Sequence, residues 1–116
     1  MSEAIHDLVT AFVEASRRHY QATLDGDYKV ANREVDQINE LFSKVRERGP
    51  EAREALVQIA TSADDAAAVM AAAYSLKYDP ERSLLALKRL SKSSGILGFK
   101  ASQAIKRWTS GEWQLE

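Results

Sequence analysis

Two histidines, two aspartate pairs and a basic stretch near the C-terminus are the groups in this chain with chemistry to offer. His6 and His19 stand thirteen positions apart. On a helix that turns them about 220° away from each other, so they cannot share a metal ion there. His19 falls at the edge of an apolar stripe and reads as a core-edge histidine satisfied by a neighbour. Asp64-Asp65 are adjacent, which points them about 100° apart on a helix. Their place at a helix start suits the positive end of the helix dipole better than a cation site. Asp25 and Asp27 flank Gly26 as turn residues do. Gly95-Ile96-Leu97-Gly98 lacks the lysine and hydroxyl of a phosphate loop and follows no strand. There is no cysteine, which removes thiolate metal sites and thiol catalysis and suits a reducing compartment. The expectation is a protein that is not an enzyme, with no cofactor and no metal.

What remains is surface for binding. Residues 1 to 65 hold 13 acids against 8 bases, a balance of −5, and residues 66 to 116 hold 4 acids against 8 bases, a balance of +4; the whole chain carries −1. Such a polarised molecule steers charged partners toward one end. Lys88, Arg89, Lys92, Lys100, Lys106 and Arg107, with Trp108 and Trp113 near them, resemble a phosphate-binding surface. Against nucleic acid stand the near-neutral net charge and the position of Trp108 on an apolar stripe, so this is the weaker reading.

The elements that must position these groups are helices. Ile5, Leu8, Val9, Phe12, Ser16 and Tyr20 share one face of a helix over about 3 to 22, which Leu24-Asp25-Gly26-Asp27 ends. Tyr28, Ala31, Val35, Ile38, Phe42 and Val45 line a second, running to Arg48. Its other face, with Lys29, Arg33, Asp36, Glu40, Lys44 and Glu47, alternates in sign and reads as solvated. Gly49-Pro50 is a stop followed by a helix start. A third helix spans about 50 to 60, and Ser62 to Asp65 are expected to cap an alanine-rich fourth that packs closely on more than one side. Asp79-Pro80 caps a fifth, whose Leu84, Leu85, Leu87 and Leu90 predict burial on two sides. The sixth follows Gly95 to Gly98, with Leu97, Ala101, Ala104, Ile105 and Trp108 as its core stripe.

Positions 57, 60 and 71 return thirty residues later as Leu87, Leu90 and Ala101, and Pro50-Glu51 returns as Pro80-Glu81. A fixed offset headed by proline is the pattern of stacked helix pairs. The predicted fold is all-α: a short HEAT-like α-solenoid of six helices in about three antiparallel pairs, in one domain spanning 1 to 116. Residues 1–48 form the first hairpin, 50–78 the second and 79–109 the third, with 110–116 as a capping tail. The start lacks a secretory signal and no apolar run reaches a membrane span, so a cytoplasmic protein is expected.

The run from Ala71 through Tyr74 to Asp79-Pro80-Glu81-Arg82-Ser83, then Leu87, Leu90, Gly95-Ile96-Leu97-Gly98-Phe99-Lys100-Ala101 and Trp108-Thr109-Ser110-Gly111-Glu112-Trp113, resembles a bacterial HEAT-like helical family of unknown function. The resemblance covers about residues 50 to 113. Some members of that family are immunity proteins of contact-dependent growth inhibition and other polymorphic toxin systems. The resemblance implies a monomeric protein that binds the C-terminal toxin domain of a large secreted effector in a 1:1 complex and occludes its active site, the toxin being a nuclease. Joined to the charge pattern, it makes the acidic half the contact surface: Asp25, Asp27, Asp36, Glu40, Asp64 and Asp65, with Tyr28 and Tyr74 as aromatic anchors. A scaffold or adaptor with another protein partner is the alternative.

Overall fold

The computed structural model describes residues 4–63 and 65–111. Among them are six helices and no strand: α1 (Ile5–Asp25), α2 (Tyr28–Arg48), α3 (Pro50–Ser62), α4 (Ala66–Ser75), α5 (Pro80–Leu90) and α6 (Gly95–Ser110). The chain divides within α3 into two compact units, Met1–Leu56 and Val57–Glu116.

In the first unit α1 and α2 pack along one another as a hairpin. Gly26 sits at φ 74°, in the left-handed region that a side chain disfavours. This conformation lets the Gly26 N–H reach the Thr23 carbonyl at 3.2 Å and the Asp27 N–H reach that of Ala22 at 2.9 Å. The Asp27 carboxylate then accepts from the Val30 N–H at 3.2 Å and caps α2. On these two helices Leu8, Phe12, Ile38 and Val45 are buried, with Leu41 and Phe42. Ser16 is fully buried as well, and its hydroxyl is satisfied by donating to the Phe12 carbonyl at 2.8 Å. Arg18 ties α1 to Glu34 of α2 at 2.9 Å, but its own side chain is half exposed, so the pair adds little stability. Tyr28 departs from the expected stripe. As the first residue of α2 it is 72% exposed.

In the second unit α5 packs against α4 and α6, and α4 also meets α6. Nearly every residue of α4 is buried, with Met70 alone half exposed. Side chains of one carbon leave little bulk to hold neighbouring backbones apart, as the alanine run predicts. The thirty-residue offset is also present in burial: Val57 and Leu87, Ala60 and Leu90, and Ala71 and Ala101 are all at most 2% exposed.

Three local expectations need correction. Ser62 does not cap α4. It closes α3, its hydroxyl donating to the Gln58 carbonyl at 2.6 Å, while Asp65 caps α4 by accepting from the Ala67 N–H at 3.0 Å. The leucines of α5 are not all covered: Leu87 and Leu90 are buried, Leu84 is half-buried, and Leu85 is 70% exposed. On α6 the buried positions are Gly98, Ala101 and Ala104, whereas Leu97, Ile105 and Trp108 are only half-buried. Close approach there depends on the small residues, and the large ones lie at the margin.

Ser83 of α5 is fully buried, and among the described residues its hydroxyl has no hydrogen-bond partner. A buried polar group in that state costs stability, and alanine removes it with almost no loss of volume. Ser83→Ala is therefore expected to stabilise the protein by about 1 kcal/mol, read as a higher melting temperature.

Candidate functional site

The turn between α1 and α2 gathers the exposed groups most suited to docking. Asp25 ends α1 with its carboxylate accepting from the Gln21 amide at 3.1 Å, and Asp27 holds the first turn of α2. Both remain exposed. Tyr28 follows directly, and Leu24, 49% exposed, precedes them. An apolar and an aromatic side chain thus share one turn with two carboxylates, each of which a local hydrogen bond holds in place. That is the anatomy of an interface anchor with a charged rim.

The other expected contact residues separate from this cluster. Asp36 and Glu40 are exposed and one helical turn apart on α2. They lie about 12 and 18 Å further along the helix axis than Tyr28, which places them as outlying charges. Asp65 is half-buried and occupied with capping α4. Tyr74 is corrected outright: it lies in the covered helix α4 at 9% exposure, and burial pushes its hydroxyl pKa up. A side chain enclosed by its own fold cannot anchor a partner. Asp64, Trp113 and most of the 110–116 tail lie outside the described residues.

Sequence reasoning missed Leu24, since a single leucine beside Asp-Gly-Asp carries no periodicity to mark its exposure. It grouped Lys88, Arg89 and Lys92 in the second unit but missed Arg82 and Leu85 beside them. One groove, about 430 Å³, is lined by Arg82, Leu85, Ala86, Lys88, Arg89 and Lys92 of the α5 region and by Thr61 of α3. A second hollow of about 400 Å³ lies between α4 and α6, where Met70, Phe99, Lys100 and Arg107 meet. Phe99 is 61% exposed there, and burial lowers the pKa of Lys100. Among the described residues no three His, Asp or Glu side chains are placed to hold a metal ion together, and no helix is long and apolar enough to cross a membrane.

No protein-family model and no curated protein matches the chain. Among solved structures it is similar to the crystal structure of the protein RPA1889 from Rhodopseudomonas palustris CGA009, with a TM-score of 0.86 at 18% identity, over 99% of this chain and 96% of that one. At that identity the likeness extends to the all-helical fold and no further.

Proposed function

We propose that this chain is a protein-binding helical module whose α1–α2 turn docks onto a basic surface of its partner. The observation that carries the reading is Tyr28, 72% exposed beside the exposed Leu24, Asp25 and Asp27. A large aromatic side chain left in water at a rigid, hydrogen-bonded turn gains most from being covered, and the flanking carboxylates favour a cationic partner. In its particular form the proposal is the immunity protein that the family resemblance implies. The chain, a short solenoid of helix pairs acting in the cytoplasm, binds a secreted effector's toxin domain, a nuclease, and occludes its substrate-binding lysines and arginines.

The test begins with the tagged protein in a pull-down from its native cells, read by mass spectrometry. One stoichiometric protein matching the C-terminal domain of a large secreted protein supports the toxin reading, and a housekeeping assembly or nucleic acid discards it. With the partner in hand, Tyr28→Ala is expected to weaken binding by about 30-fold, the scale of an interface hot spot. Asp27→Asn keeps a capping oxygen while removing the charge, so it isolates electrostatics from helix stability. Combined with Asp25→Lys it is expected to slow association and reduce the salt dependence. Unchanged affinity in all three variants would remove the acidic turn from the interface.

A further inference from the structure

The groove along α5 has the opposite sign from the α1–α2 turn. Among the described residues Arg82, Lys88, Arg89 and Lys92 line it and no carboxylate does, and Leu85 stands in it 70% exposed. Two of the cations serve the fold. The Arg89 guanidinium donates to the carbonyls of Ala60 and Ala63 at 3.1 Å each, closing the C-terminal end of α3, and Arg82 pairs with the capping Asp79 at 2.7 Å. These bonds hold both guanidinium groups in place before any ligand arrives. The helix dipole accounts for Lys88 in the last turn of α5. Neither the dipole nor packing accounts for Leu85, or for Lys92 beyond the helix end. Lys88 and Lys92 are exposed and make no ion pair among the described residues.

We propose that this groove is a second docking site, and that it takes an acidic amphipathic helix of a protein partner. Such a segment covers Leu85 with an apolar side chain while its flanking carboxylates meet Lys88 and Lys92, in the helix-in-groove mode. Nucleic acid fits less well. A phosphate backbone satisfies the cations but offers nothing apolar to Leu85, and none of the described residues lining the groove is an aromatic on which a base could stack.

The full-length protein is titrated against a labelled helical peptide of about 16 residues, long enough to span the groove, with leucines at helical spacing flanked by glutamates. A counterpart with glutamine for glutamate and a labelled oligothymidylate are run beside it. The glutamate peptide is expected to bind saturably, and about ten-fold more weakly to a Lys88→Glu/Lys92→Glu variant, with a similar loss for the glutamine counterpart. Leu85→Ser is expected to weaken it as well. All three positions are exposed, so these variants keep their fold. Tyr28→Ala is expected to bind the peptide like the parent, which separates this site from the α1–α2 turn. No binding, equal binding of the two peptides, indifference to the α5 substitutions, or tighter binding of the oligothymidylate would overturn the proposal.

Discussion

Gly98→Ala is expected to destabilise the protein by about 2 kcal/mol or more, where helix propensity alone predicts a gain of about 1 kcal/mol. Gly98 lies one turn inside α6, with the Ser91–Ser94 turn folded back across it. A Cβ at position 98 would collide with the Ser93 carbonyl oxygen, and would also stand 2.9 Å from the Ser93 carbonyl carbon and 3.1 Å from the Ser91 oxygen. All of these are backbone atoms, so no side chain can swing aside. Either the turn opens or α6 shifts, and a shift takes the buried Ala101 and Ala104 out of register with their neighbours. Urea denaturation of Gly98→Ala beside Ser102→Ala, an exposed position on the same helix, checks this. The first midpoint is expected to fall and the second to stay or rise slightly. A rise in both would mean that the turn yields without cost.

The clash also shows where reading the sequence succeeds and where it stops. Gly95 and Gly98 are legible as the entry to a helix, and so are Gly26, Asp27, Asp79 and Pro80 as caps, because caps are decided by residues within a turn of one another. The thirty-residue offset in burial is legible for a related reason. Burial at Val57, Ala60 and Ala71 recurs thirty positions on because the apolar pattern recurs. What a second element does to a residue is not written locally. Four leucines on α5 announce a wide apolar surface, and nothing in their spacing says that Leu85 is left in water. Ser62 resembles a cap in composition, yet its hydroxyl, like that of Thr61, bonds back to the Gln58 carbonyl within the last turn of α3. For the candidate site the result is mixed. Asp25, Asp27 and Tyr28 were identifiable as turn acids and an aromatic, but their association with Leu24 comes from the exposure of the hairpin end. Of the other residues, Asp36 and Glu40 lie along α2 away from the turn, Asp65 is held by α4, and Tyr74 is enclosed.

Leu87→Asp is expected to cost more than 4 kcal/mol, the largest single effect in the chain, and to unfold the Val57–Glu116 unit. Leu87 has no exposed surface and sits on the helix that meets both α4 and α6. The substitution removes a buried leucine, worth about 1.5 to 3 kcal/mol of burial. It also places an unpaired carboxylate where there is no water, a further penalty that proteins meet by protonating the group or by unfolding. The sign of the pH dependence follows. An aspartate with its charge disfavoured in the native state has a raised native pKa, so the variant recovers stability as pH falls through that value and loses it as pH rises. Leu85→Asp, two residues earlier and 70% exposed, carries the same chemical change without the burial. It is expected to leave the stability within about 0.5 kcal/mol of the parent's, and the melting temperature close to it. Thermal melts of the two variants at neutral and mildly acidic pH separate burial from helix propensity, because propensity treats both substitutions alike. Equal melting temperatures would mean that α5 does not turn Leu87 into the core of its unit.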